Sequence, residues 1–226
     1  DKRNFTIVDV DEDGHKLQQY NRLLFCDSKK RIWAGGEMGI SVFNQVGTSL
    51  LPNTDFQIAS VLKQAFVNCF YETSSGYLWI GTRNGLFALK ESDKQFLQYT
   101  TENGLPSNVI YGILEDAYGR LWISTNQGLS CLNSESGKFR NFTIMDGLQG
   151  NQFNAGAYCR KDNGYMLFGG VNGITSFRPE TLIDNPYAPK PVINKLFVHN
   201  KEVLPDDETG ILKESITYVN RITLSS

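Results

Sequence analysis

Apolar and polar positions along this chain follow a pattern that returns four times. Short apolar runs read Arg31-Ile-Trp-Ala-Gly-Gly, Tyr77-Leu-Trp-Ile-Gly-Thr, Arg120-Leu-Trp-Ile-Ser-Thr and Tyr165-Met-Leu-Phe-Gly-Gly. Each is followed by two residues and a glycine: Gly39, Gly85, Gly128 and Gly173. The tryptophan column is Trp33, Trp79 and Trp122, with Leu167 in the last repeat, at spacings of 46, 43 and 45 residues. A second module recurs beside the first. Phe96-Leu-Gln-Tyr-Thr-Thr-Glu-Asn-Gly-Leu-Pro-Ser-Asn108 matches Phe139-Arg-Asn-Phe-Thr-Ile-Met-Asp-Gly-Leu-Gln-Gly-Asn151.

Each repeat resolves into short strands. In the third, 109–115, 121–125, 129–133 and 138–143 read as strands. The turns between them, 116–119, 126–128 and 134–137, are built from Asn, Asp, Gly and Ser, which supply positive φ or side-chain bonds to the backbone. No apolar stripe of period 3.6 argues for a helix. Four short antiparallel strands every 43–46 residues predict blades of a β-propeller. A single blade has two apolar faces and buries neither alone; radial stacking buries both. The fold expected is all-β, a partial propeller of about four blades over residues 1–180. A proline-rich linker follows over 181–191, and the first strands of a β-sandwich over 192–226, with 192–203 and 216–224 as strands. The last blade lacks a clear fourth strand after Pro179, and Lys2–Val8 reads as a spare one. Such open edges invite self-association.

Composition narrows the function. Lys and Arg number 22 against 24 Asp and Glu, a net charge of −2, so the chain has no basic field for nucleic acid. No apolar run approaches the ~18 residues of a membrane span. The 14 Phe, 10 Tyr and 3 Trp are spread evenly, which excludes disorder. Cys26, Cys69, Cys131 and Cys159 have no metal-ligand spacing and read as free, buried thiols. His15 and His199 have no ligand cluster around them, so no metal and no cofactor are expected.

The run Glu102-Asn-Gly-Leu-Pro-Ser-Asn108, continuing through Ile113-Leu-Glu-Asp-Ala-Tyr-Gly-Arg-Leu-Trp-Ile-Ser-Thr-Asn-Gln-Gly-Leu129, closely resembles the two-component-regulator propeller repeat. The fourth repeat, from Asn154-Ala-Gly-Ala-Tyr158 through Phe168-Gly-Gly-Val-Asn-Gly-Ile-Thr-Ser-Phe-Arg-Pro179, resembles the form that closes the second propeller in that family. The first two repeats depart from the Gly-Leu-Pro-Ser-Asn motif; the second has Ser60-Val-Leu-Lys-Gln-Ala65 in its place. The resemblance implies a fragment of the periplasmic sensor region of a hybrid two-component system from Bacteroides-type bacteria. It further implies an oligosaccharide ligand, a homodimer and a kinase elsewhere in the parent.

Repetition says where a site belongs. Trp33, Trp79 and Trp122 could stack on a sugar, but a residue present in successive blades is explained by blade packing. The glycine column is explained by backbone geometry. Strand direction alternates. The turns Glu37-Met38, Arg83-Asn84, Asn126-Gln127 and Val171-Asn172 therefore share one end with the blade connections 103–108 and 146–151. The ligand-binding candidates at that end are Arg83, a planar donor fork for a sugar hydroxyl or uronate, with Asn84, Asn108, Asn126, Gln127, Asn151, Asn154 and Asn172. The asparagines equally suit turn backbone. No catalytic residue is expected. Glu115 and Asp116 point to opposite faces of a strand, and Asp116 caps the turn that follows. Two other classes fit the repeats: an interaction scaffold, marked by an exposed apolar patch, and a propeller lyase or glycosidase, marked by carboxylates clustered in the mouth.

Overall fold

The structure, a computed structural model, describes residues 21–47, 49–90, 95–182, 192–219 and 221–222. It divides into two compact units, one ending at Leu182 and the other beginning at Ile183. The first contains three sheets of four strands and one of three, each in simple sequential order. Blade one is β1 (Asn21–Cys26), β2 (Arg31–Gly36), β3 (Gly39–Val46) and β4 (Ser49–Pro52). Blade two is β5 (Val67–Glu72), β6 (Tyr77–Thr82), β7 (Gly85–Lys90) and β8 (Gln95–Tyr99). Blade three is β9 (Ile110–Glu115), β10 (Leu121–Thr125), β11 (Gly128–Asn133) and β12 (Lys138–Phe142). Blade four has β13 (Phe153–Arg160), β14 (Met166–Gly170) and β15 (Gly173–Phe177). No fourth strand joins it among the described residues, and the spare strand read at Lys2–Val8 lies outside them.

The core is three layers, one between each pair of neighbouring blades. Trp33 lies with Val67, Phe70, Ile80 and Phe87 between blades one and two. Trp79 lies with Ile110, Ile113 and Ile123 between blades two and three. Trp122 lies with Phe153, Met166 and Phe168 between blades three and four. The three indoles are 0%, 3% and 1% exposed, which leaves no face for a sugar and makes them packing residues. Burying each such side chain is worth roughly 2–3 kcal/mol. The glycine column is backbone geometry, as expected. At Gly128, φ is +120°, and a Cβ would stand 2.3 Å from the carbonyl oxygen of Phe142.

A latch fixes two of the tryptophans. Asp116 accepts from the backbone N–H groups of Tyr118 and Arg120, from Arg120 Nε at 2.7 Å and from Trp122 Nε1 at 3.0 Å. Asp27 does the same for Lys29 and Arg31 backbone, Arg31 Nε at 2.6 Å and Trp33 Nε1 at 2.8 Å. Between them, blade two has Thr73 and Tyr77 at these positions, and Trp79 Nε1 is buried with no hydrogen-bond partner among the described residues. Blades are also clasped to each other at the end bearing these turns. Ser28 donates through its backbone N–H and its hydroxyl to Glu72, both at 2.7 Å. Ser74 donates in the same way to Glu115, at 2.9 and 3.0 Å. At the third junction Ala117 replaces the serine, and Arg160 instead donates to the carbonyl of Glu115 at 2.8 Å.

Two expectations need correction here. A short helix, α1 (Gln57–Val61), occupies the connection between blades one and two, where no helix was read. It buries Ile58, followed by Leu62, in the first layer; five residues are too few to show a periodic stripe. Secondly, only Cys69 and Cys131 are buried. Cys26 and Cys159 are exposed, both free, because they sit on strand faces turned away from the packed layers.

The second unit carries a hairpin of β16 (Leu196–Val198) and β17 (Lys201–Val203) around Val203, Leu212 and Ile216. The expected strand at 216–224 begins instead as a single 3-10 turn, Ile216–Tyr218.

Candidate functional site

The end formed by the strand two–three turns is built by buried threonines. Thr82 Oγ1 donates to the carbonyl of Gly85 at 2.8 Å and accepts from Asn84 N–H at 2.9 Å. Thr125 repeats this with Gly128 and Gln127, at 2.8 and 3.0 Å. Both are fully buried, so their hydroxyls hold Arg83-Asn84 and Asn126-Gln127 in fixed turns. The blade connections lie at the same end, as the alternation of strands requires. Gly85 N–H donates to the carbonyl of Asn108 at 2.8 Å, and Gly128 N–H to that of Asn151 at 2.6 Å.

The eight candidate residues divide by what their side chains already do. Asn108 Oδ1 accepts from Thr101 N–H, and Asn151 Oδ1 from Ile144 N–H, both at 2.8 Å. Each ties down the single 3-10 turn of its connection, Thr101–Asn103 and Ile144–Asp146. These turns carry a capping box: Thr100 pairs with Asn103, and Thr143 with Asp146. Asn84, Gln127, Asn154 and Asn172 are exposed. The carbonyl of Asn84 accepts from Gln98 Nε2 at 3.1 Å, and the N–H of Asn172 donates to Gln149 Oε1 at 2.8 Å. Asn126 Oδ1 is buried without a partner among the described residues, an unspent acceptor in the turn of blade three.

Arg83 is exposed, and its guanidinium carbon lies 3.7 Å from the centre of the Phe66 ring. Its backbone N–H donates to the carbonyl of Phe66 at 3.0 Å, which fixes the base of the side chain. Arg22, on β1, lies 5.6 Å from the same ring and 3.6 Å from Glu37 Oε1. The sequence drew attention to Arg83 alone. Phe66 and Arg22 were missed because the ring lies before β5 and the second arginine lies in another blade. The threonines were missed too, although they share one position in the repeat; blades one and four carry Gly36 and Gly170 there.

The opposite end carries carboxylates, but they are committed. Glu115 is held by Ser74, while Asp116 is held by Arg120 and Trp122, so they diverge as the strand predicts. Among the described residues no group of three His, Cys, Asp or Glu side chains could hold a metal ion, and no helix is long and apolar enough to cross a membrane.

Apolar side chains are exposed on the outer faces of the stack. On blade four Ala157, Tyr158, Cys159, Leu167, Gly169 and Ile174 line a shallow hollow, with Ile174 67% exposed. On blade one Leu24 is 76% exposed, on the strand face opposite Phe25.

Comparison with known proteins agrees with this architecture. A family model described as two-component regulator propeller matches residues 62–84 and 104–127. Each match runs from a blade connection to the following strand two–three turn, so both of its ends lie at the end described above. Histidine kinase P4 of Formosa agariphila is 28% identical over 98% of this chain, which spans 17% of that protein. The extracellular domain of the putative hybrid two-component system BT3049 from B. thetaiotaomicron shares the fold. It is 24% identical, with a TM-score of 0.71, over 90% of this chain and 29% of that one. The extracellular domain of the putative one-component system BT4673 from the same organism is 25% identical, with a TM-score of 0.56, over 70% of this chain and 23% of that one. The chain therefore spans less than a third of each of these relatives, and two of its repeats, over 62–84 and 104–127, match the two-component regulator propeller repeat.

Proposed function

We propose that this chain is part of the sensor region of a hybrid two-component system, and that the region binds a glycan-derived oligosaccharide in the periplasm. One observation carries the reading. Packing residues of the repeat are buried between blades, whereas Arg83, Asn84, Gln127, Asn154 and Asn172 stand exposed. Arg83, Asn84 and Gln127 stand on turns fixed by buried hydroxyls, Asn154 on β13 and Asn172 on the turn of blade four. Their guanidinium and carboxamide groups offer donors and acceptors matched to sugar hydroxyls. The likeness to extracellular domains supports a place outside the cytoplasm. No catalysis is assigned to the chain in this reading.

Signalling follows from differential binding. A ligand moves a receptor only as far as it prefers one arrangement over another. In this reading the arrangements are two geometries of a homodimer. A tenfold preference supplies about 1.4 kcal/mol, so the two must stand near balance beforehand. The test is thermal denaturation of the complete sensor region against a broad panel of oligosaccharides. A rise in melting temperature with one glycan class supports the reading. Absence of any shift across the panel, with the protein folded, would move the account to an interaction scaffold.

A further inference from the structure

We propose that Arg22 and Arg83, gathered on the ring of Phe66, form a subsite for an acidic sugar, one that carries a carboxylate or sulfate. The proposal deepens the oligosaccharide reading and rests on it. The guanidinium carbons lie 5.6 and 3.7 Å from one ring centre, so they are at most 9.3 Å apart. They come from different blades, Arg22 from β1 and Arg83 from the turn after β6. Both guanidinium groups lie within cation–π range of the ring, Arg83 in close contact and Arg22 near the outer limit, and each is a planar fork of N–H donors suited to an oxyanion.

The charges are unbalanced. Glu37 approaches Arg22 at 3.6 Å, and the pair is exposed, with the side chains 60% and 46% accessible. An exposed pair of this kind is weak and easily exchanged. Arg83 has no carboxylate partner among the described residues. Among the described residues one carboxylate, Glu37, is thus recorded for the two guanidinium groups, and an oxyanion on a ligand supplies a further counter-charge. Charge-assisted bonds to such a group are roughly twice as strong as those to a neutral hydroxyl. A neutral sugar would leave that attraction unused.

The test measures binding by the complete sensor region of uronate-bearing and sulfated oligosaccharides against neutral ones of matching length. Wild type is compared with Arg22→Ala, Arg83→Ala and Arg83→Lys, each first shown to keep the wild-type melting temperature. The expected result is preferential binding of an acidic oligosaccharide that weakens with added salt. Arg83→Ala loses tenfold or more of that affinity, Arg22→Ala loses several-fold, and Arg83→Lys retains part. Whichever acidic series binds names the oxyanion. Equal binding of neutral and acidic sugars, or acidic binding untouched by the variants, overturns the subsite and leaves the oligosaccharide reading standing. Binding of no oligosaccharide overturns both.

Discussion

Trp122 Nε1 donates to Asp116 Oδ2 at 3.0 Å, and at the same position of the preceding blade Trp79 Nε1 has no acceptor among the described residues. Three blades thus provide an internal control for one buried hydrogen bond. Replacing Asp116 by Ala removes the acceptor for four donors, and leaving them unmet in a buried turn should cost about 3 kcal/mol. The reverse change is Thr73→Asp with Tyr77→Arg, which installs the latch in blade two and should add about 1 kcal/mol. Urea denaturation reads both. Equal midpoints for wild type and the double variant would contradict the assignment of the orphaned indole as a deficit.

The latch also sets an acid limit. Burial raises the pKa of Asp27, but the Trp33 indole, the Arg31 backbone N–H and the Arg31 guanidinium outweigh it, and the carboxyl is held below its ordinary value of 3.8. A carboxylate with a depressed pKa contributes stability above its unfolded value and loses it as pH falls through the folded one. Stability should therefore decline below about pH 3.8, through protonation of this latch. In Asp27→Asn the protein should be less stable at pH 7, and its stability should change less between pH 5 and pH 2. Parallel acid curves for the two proteins would show that other carboxylates set the limit.

Glycines of the repeat are not equivalent to those of outer turns. At Gly128 a Cβ meets the Phe142 carbonyl oxygen at 2.3 Å, with φ at +120°. At Gly137 φ is +67° and nothing lies within 4 Å. Gly137→Ala should cost about 1–2 kcal/mol from φ alone. Gly128→Ala adds displacement of the end of β12 at Phe142, so it should cost about 3 kcal/mol or more. Denaturation midpoints that fall equally in the two variants would argue against the close contact between turn and strand.

Thiol chemistry separates the cysteines. Burial pushes the Cys69 thiol up to about 12, against an ordinary 9.0, so it carries almost no thiolate at neutral pH. Cys26 and Cys159 are exposed. Native labelling with a disulfide reagent should modify two thiols rapidly, and all four only after unfolding. Rapid labelling of Cys69 in the folded chain would contradict the packing of the second layer.

Blade order, strand positions and the ends at which turns lie were legible because they repeat. In the third repeat, strand 121–125 coincides with β10, and the other three differ from the structure by a residue at one boundary. Contacts between repeats were hidden. Ser28 and Glu72 stand 44 residues apart, Ser74 and Glu115 stand 41 apart, and neither pair has a local pattern. The latch left a signal, Asp-x-x-x-Arg-x-Trp at Asp27 and at Asp116, but Thr73 and Tyr77 interrupt it between. At the candidate site Arg83 stood out as the charged member of its turn, whereas its stacking partner Phe66 looked like one more apolar residue before a strand. Asn108 and Asn151 illustrate the limit of reading chemistry from residue type. Their amide oxygens are spent on backbone N–H groups, although the same residues could have faced a ligand.

The most direct test of the account is hydrogen exchange of the complete sensor region, with and without the oligosaccharide that shifts its melting temperature. Slower exchange is expected at the turns of residues 83–84 and 126–127. The opposite turns, 28–30, 74–76 and 117–119, should be unchanged. Protection confined to those opposite turns, or absent from the propeller, would contradict it.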